Sequence, residues 1–227
     1  MDDRRFLSSS AVARQLCVHE SRVRALAAKG RLGGQKIAGR WVFDPEALVD
    51  EKEAPREGGR PLDQRNAFAL LFLASREEPN WIRADVRSRL RRRLRLRSLA
   101  DQLSRVRSRA LRHNFRANDA ALRSIRGDPD FIKSGVSAAR EYGADISALE
   151  VLEGYYPKRK LEKVAYRFAL REVPEEQANL ILRGIGSDIP LRRAVMPRAV
   201  VAADLVESRD QRTRRAGQRL LRSIDAR

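Results

Sequence analysis

The sequence predicts an α+β protein, mainly α with minor β, with a small N-terminal module and a larger C-terminal part. Three observations predict it. Residues 7–50 hold two short helical patterns and a hairpin signal. Residues 65–126 carry apolar side chains at helical spacing among many arginines. Residues 127–227 alternate strand-like and helix-like apolar runs.

The chain has 227 residues, room for one large or two small domains, and 42% hydrophobic residues give it a core. Cys17 is the single cysteine, which excludes an intrachain disulfide and a cysteine-rich zinc site and fits a cytosolic protein. No apolar run reaches the roughly 18 residues of a membrane span. "MDDRRFLSSS" lacks the apolar segment of a signal peptide. A cytoplasmic, nucleoid-associated location is expected.

Net charge is +18, unevenly spread. Residues 1–50 contribute +3, residues 51–63 contribute −1, residues 64–126 contribute +12 and residues 127–227 contribute +4. A uniform codon bias toward arginine would not concentrate charge this way. The asymmetry points to a polyanionic partner, either nucleic acid or an acidic protein.

The first helix is expected to start at Ser8, Ser9 and Ser10, whose hydroxyls cap, and to run to about Leu16, with Ala13 and Leu16 on one face. Cys17-Val18 then makes a turn. A second helix follows, with Val23, Leu26 and Ala27 as its buried stripe. Ser21, Arg24, Ala25 and Ala28 face away, with Arg22 at the edge. Small side chains there permit close approach to a surface, and Arg22 and Arg24 reach phosphates or guanine edges. Lys29 and Gly30 suit the helix end. In "QKIAGRWVF", Gly39 marks a hairpin tip, with Ile37, Trp41 and Phe43 expected toward the core and Lys36 and Arg40 projecting. Asp44-Pro45 opens a short helix, "PEALVD".

"SAVARQL", "CV", "SRVRALAAKGRL" and "KIAGRWVFDPEAL" together resemble the excisionase and MerR-type winged helix-turn-helix domain. The resemblance implies a helix in the major groove of double-stranded DNA and a wing on the backbone or minor groove. The implied DNA-contacting residues are Ser21, Arg22, Arg24, Ala25, Lys36 and Arg40. His19 stands where the family has a Ser or Thr cap, and Glu20 places an acid beside the implied DNA surface. One such module binds weakly alone, so a homodimer or a second basic surface is expected.

Residues 51–64, charged and rich in Gly and Pro, read as a linker. "PLDQRNAFALLFLAS" reads as the central helix of the second part, with Ala67, Leu70, Leu71 and Ala74 on one face. Residues 83–116 hold thirteen arginines against Asp85 and Asp101. The stripes Val86, Leu90, Leu94 and Leu99, Leu103, Val106, Ala110 are out of phase, which predicts two helices, 82–96 and 98–111. Ser98 and Asp101 have capping-box spacing. Arg87, Arg91, Arg92, Arg93, Arg95 and Arg97 surround the first helix with no acid among them, so an anion is expected there: a nucleic-acid backbone or an acidic protein partner.

In residues 127–227, Asp128-Pro129 reads as a helix start and Ser134-Gly135 as a break. "ALEVLEGYY" and "QANLILRGI" read as strands within a set of two to four. "PKRKLEKVAYRFAL", "MPRAVVAADLVES" and "RDQRTRRAGQRLLRSI" read as helices, with Val200, Leu205, Ala216, Leu220 and Ile224 as core. "IKSGVSAAREYGADI" and "PRAVVAADLVESRDQRTRRAGQRLL" resemble antitoxin regulators of the AbiEi kind. That resemblance implies an autorepressor of a bacterial toxin–antitoxin operon, with a nucleotidyltransferase-type toxin as partner.

Catalytic vocabulary is sparse. The histidines are His19 and His113, and there is no Walker A and no Gly-x-Gly-x-x-Gly after a strand. "RGIGSD" reads as a turn. Glu150, Glu153, Asp188 and Asp204 carry no metal-ligand spacing, and a helical Asp204 suggests a surface or capping role. The expectation is a non-enzymatic, cofactor-free, DNA-binding regulator. An excisionase-like architectural factor and a protein-interaction module without a DNA role are the alternatives.

Overall fold

The computed structural model describes residues 6–16, 19–28, 34–37, 39–43, 61–146 and 150–226. The turn at Cys17-Val18, the helix end at Lys29-Gly30, the helix from Asp44-Pro45 and the linker to residue 60 lie outside them. The chain divides into two compact units, Met1–Glu57 and Gly58–Arg227. Helices predominate over strands, about 53% against 17%, so the protein is of the α+β class.

In the first unit, β1 (Leu7–Ser8) leads into α1 (Ser9–Leu16), followed by α2 (Glu20–Ala28) and the hairpin β2 (Gly34–Ile37) and β3 (Arg40–Phe43). The Ser8 hydroxyl accepts the Ala11 amide hydrogen at 3.2 Å and caps α1. β1, too short for its periodicity to be read, pairs with β3 and makes a three-stranded sheet of order β1-β3-β2. Val12, Ala13, Val23, Ala27 and Phe43 form the core, with Leu7 and Trp41 against it.

The hairpin register corrects the expectation for Ile37. Lys36 pairs with Trp41 and Ile37 with Arg40. Opposed residues share a face, so Trp41 and Phe43 lie on the side of Lys36 while Ile37 lies on the other, 53% exposed. The two-residue connection, 38–39, reverses the parity that a simple count from Ile37 to Trp41 assumes.

The second unit centres on a five-stranded sheet of order β5-β6-β8-β4-β7: four strands fall in residues 127–227, within the expected two to four, and the fifth, β4, comes from the arginine-rich region read as helical. Its strands are β4 (Leu111–Arg116), β5 (Ile132–Lys133), β6 (Leu152–Pro157), β7 (Arg171–Glu172) and β8 (Leu180–Ile185). β6 and β8 run parallel and the other pairs antiparallel. The 3.6-residue stripe read through Ala110 concealed β4: residues 100–109 form only short helical turns, and the chain then extends. Asp128-Pro129 makes a turn and starts no helix; the Asp128 carboxylate accepts the Asp130 amide hydrogen at 2.8 Å and the Tyr156 hydroxyl at 2.7 Å.

Alternation along β6 and β8 divides the core. Leu152, Tyr156, Leu180 and Leu182 face α5 (Asp119–Arg126) and α6 (Lys158–Arg167), meeting Ile125, Leu161 and Val164. Tyr155 and Ile185 face the larger core, with α3 (Gln64–Ala74), α4 (Ala84–Leu96), α7 (Arg198–Val206) and α8 (Gln211–Asp225). The sheet is thus covered on both faces, as a parallel pair requires. Asp63 caps α3 through the Asn66 amide at 2.8 Å, and every residue from Ala67 to Phe72 is buried. α7 is buried from Ala199 to Leu205. The stripe Val200, Leu205, Ala216 and Leu220 is core, with Ile224 packed against it.

Candidate nucleic-acid interface

In the first unit the outward face of α2 presents Ser21, Arg24, Ala25 and Ala28, all exposed, while Val23 and Ala27 are buried opposite. His19 caps this helix: its Nδ1 accepts the Ser21 amide hydrogen at 3.3 Å and lies 2.9 Å from the Ser21 hydroxyl. The imidazole thus fills the role that a Ser or Thr would take, reaching the second amide of the helix. Glu20 lies 3.7 Å from Arg24 one turn on, with both side chains about half exposed. An exposed pair of this kind is worth at most about 1 kcal/mol, so it costs Arg24 little to leave Glu20 for another anionic or polar partner. Arg22 belongs to the same helix, and its side chain lies outside the described residues. Lys36 and Arg40 are exposed on opposite faces of the hairpin.

In the second unit, α4 carries its apolar stripe inward, with Leu90 buried and Val86 and Leu94 packed against the larger core. The arginines fall outside that stripe, and their surroundings differ along the helix. Arg83 and Arg89 both pair with Asp85, at 3.1 and 3.4 Å. Arg87 lies 3.7 Å from Glu78, and Arg91 pairs with the same carboxylate. Glu78, from the segment before the helix, is therefore the anion for two of the six arginines, which corrects the reading that all six lack an acid. Arg92, Arg93, Arg95 and Arg97 form no ion pair among the described residues. Arg105, on the turns after α4, has its pKa lowered by burial and then by the charges of Arg93 and Arg97. Its Nε is buried without a hydrogen-bond acceptor among the described residues.

The chain matches no protein-family model, no curated protein and no solved structure.

One polar centre was missed in the sequence. On the larger-core face of the sheet, Glu153 of β6 and Arg183 of β8 meet Arg109 and the α7 carboxylate Asp204, all between 1% and 3% exposed. Arg183 donates to Glu153 at 3.0 Å and to Glu207 at 2.7 Å, and its Nε lies 3.3 Å from Asp204. Arg109 donates to Asp204 at 3.2 Å and to Glu207 at 2.6 Å. The Tyr155 hydroxyl donates to Asp204 at 2.9 Å, and the Ser134 hydroxyl donates to its other oxygen. Asp204 is therefore the anionic centre of a buried network, which corrects its reading as a surface or capping residue.

Burial opposes every charge in this network, and the partners decide the outcome. Arg183 and Arg109 outweigh desolvation at Asp204 and hold its pKa below the usual carboxylate range. At Glu153 desolvation prevails over Arg183, and its pKa is raised. For Arg183, Asp204 and Glu153 overcome burial and raise its pKa. Burial, then Asp204, pushes the Tyr155 phenol up.

Beside the network lies a cavity of about 530 Å³, bounded by Arg112, Val136, Glu175, Ile181 and Thr213. The Arg112 guanidinium is engaged by Glu175 at 2.9 Å. Glu150 is exposed, and Asp188 lies 3.7 Å from Arg65. The carboxylates of the network already accept from guanidinium, hydroxyl or amide donors and act as counter-ions. Among the described residues no three His, Cys, Asp or Glu side chains converge as a metal site, and no helix is long and apolar enough to cross a membrane.

Proposed function

We propose that this chain is a sequence-specific, double-stranded-DNA-binding transcriptional regulator. The observation that carries the reading is the outward face of α2. Ser21, Ala25 and Ala28 are small and exposed, Arg24 stands among them in a weak surface pair, and a hairpin bearing Lys36 and Arg40 belongs to the same unit. Small side chains let a helix backbone approach base edges, and arginine reads guanine through a bidentate contact. Ser21, Arg22, Arg24 and Ala25 select the site, while Lys36 and Arg40 contact the backbone or the minor groove. The arrangement fits a winged helix-turn-helix.

The finer reading is an autorepressing antitoxin, whose second unit pairs with a second copy or faces a nucleotidyltransferase-type toxin. It rests on the AbiEi-like words in residues 132–146 and 197–221. The chemistry is binding rather than catalysis, in the cytoplasm at the nucleoid.

A mobility-shift assay on the DNA upstream of the protein's own gene, at two salt concentrations, tests the reading. Each good bidentate base contact carries about 1–3 kcal/mol of discrimination. Arg22→Ala/Arg24→Ala is therefore expected to lower the preference for the upstream fragment over a mixed-sequence fragment by about tenfold or more. Equal wild-type binding to both fragments would contradict site selection. No shift at low salt, despite a charge of +18, would contradict DNA binding altogether.

A further inference from the structure

The arginines of the second unit fall into two groups. Those on the first turns of α4 are neutralised from within: Asp85 serves Arg83 and Arg89, and Glu78 serves Arg87 and Arg91. Past Arg91 the pattern changes. Arg92, then Arg93 and Arg95 on the last turn of α4 and Arg97 at its C-cap, with Arg105 and Arg107 on the turns that follow, form no ion pair among the described residues. Between residues 86 and 118 Asp101 is the one acid in the sequence. The C-terminal dipole of α4 supplies roughly half a negative charge, far less than the guanidinium charge gathered there.

We propose that Arg93, Arg97 and Arg105 form a phosphate-binding site on the second unit, which holds the backbone of a double-stranded nucleic acid independently of sequence. This deepens the DNA-binding reading and rests on it. Two elements contribute: Arg93 and Arg97 stand four residues apart at the end of α4, and Arg105 stands on the turns that follow. The like charges of Arg93 and Arg97 already act on Arg105, and an oxyanion between them removes that repulsion. Guanidinium forks match the oxygens of a phosphate two at a time. Four residues of helix advance about 6 Å, comparable to two base-pair steps of about 3.4 Å measured along the duplex axis. A protein partner would require an apolar centre in its interface. Here the one large exposed apolar side chain on α4 is Leu96, and a charged, wet surface suits phosphate.

The test uses the full-length chain and a fluorescent mixed-sequence duplex, with binding followed by anisotropy from about 50 to 200 mM KCl. Each lost phosphate contact lowers the slope of log K against log[salt] by about 0.9. Arg93→Gln/Arg97→Gln is expected to reduce the slope by about 2 and to weaken binding at every salt concentration. Glu78→Gln, which releases Arg87 and Arg91 beside the site, is expected to act in the opposite direction, with tighter binding and a steeper slope. Thermal melting checks that each variant is folded, and the two opposed variants give the proposal two independent readings. If wild type binds with a salt slope that neither variant changes, this site is overturned and the DNA reading stands. If wild type does not bind at the lowest salt, both fall. If poly-L-glutamate of matched charge competes as well as unlabelled duplex, and loses that ability in Arg93→Gln/Arg97→Gln, the surface belongs to an acidic protein and the phosphate assignment is overturned.

Discussion

Arg183→Met is expected to destabilise the second unit by about 3–5 kcal/mol, the range for removing one partner of a buried ion pair. At about 2–4 °C per kcal/mol for a unit of this size, the melting temperature falls by about 6–20 °C. Arg183 is about 1% exposed and donates to Glu153 and Glu207, with Asp204 at 3.3 Å. Methionine fills the apolar stem but returns nothing to the carboxylates. Arg109 then stands alone against three of them, and Glu153, 3% exposed, loses its guanidinium partner.

The variant should also show a particular pH dependence. Glu153 already has a raised pKa in the wild type, because burial outweighs Arg183, and removal of Arg183 raises it further. A group whose folded pKa is raised favours the protonated protein. Its stabilising contribution is present below the ordinary carboxylate value and is lost as pH rises through the folded value. The deficit of Arg183→Met relative to wild type should therefore be larger at pH 8 than near pH 5, by denaturant titration at both. Glu153→Gln in the same background removes the buried charge and should restore part of the loss at pH 8 while changing little at pH 5. A cost below about 1 kcal/mol, or a deficit independent of pH, would sink the account of Arg183 as the cation of this network.

How far this centre was legible in the sequence can be judged from its parts. The helices α3, α7 and α8 followed from their apolar stripes, whereas the caps of α3 and α8, Asp63 and Asp210 accepting the Asn66 and Thr213 amide hydrogens, emerge only from the structure. β6 and β8 were legible because both are buried along their length. β1, β5 and β7 have two residues each, too few for any period, and β4 continues an arginine-rich helical pattern without a break in composition. In the first unit the outward set Ser21, Arg24, Ala25 and Ala28 was correctly read, because helical spacing alone decides it. The position of Ile37 was not, because it depends on the register of a two-residue connection.

The buried network did leave a trace in the sequence. Glu153 and Arg183 interrupt two strands otherwise free of charge, and Asp204 interrupts "AVVAADLV". An isolated charge in a fully buried strand or helix requires a partner of opposite sign. Pairing those three by sign would have found the network, although only the topology brings Arg109 to the same place. The arginine surface had the opposite character. Its density was plain, but Glu78 precedes the helix by several residues, and its neutralisation of Arg87 and Arg91 depends on a fold back that no periodicity reveals.

Gly135→Ala is the second large effect. Gly135 has φ +50°, where an L side chain costs about 1–2 kcal/mol. Space forbids the methyl group as well: a Cβ at this position would lie 1.9 Å from the Glu153 Oε2. That carboxylate cannot simply swing aside, since it accepts the Val136 amide hydrogen at 3.1 Å and the Arg183 guanidinium at 3.0 Å inside the core. Backbone strain and the displaced, desolvated hydrogen bonds together predict a cost of about 3 kcal/mol or more. Gly143→Ala supplies the comparison. Its φ is +74° but nothing lies within 4 Å of the added Cβ, so it should show the backbone cost alone, about 1–2 kcal/mol. The excess of Gly135→Ala over Gly143→Ala measures the collision with Glu153. A double-mutant cycle isolates it: against Glu153→Ala, which clears the space, Gly135→Ala should cost no more than Gly143→Ala. Equal costs for the two glycine variants in the wild-type chain, or no coupling to Glu153, would show that Gly135 is required for its backbone angle and not for the seat of the carboxylate.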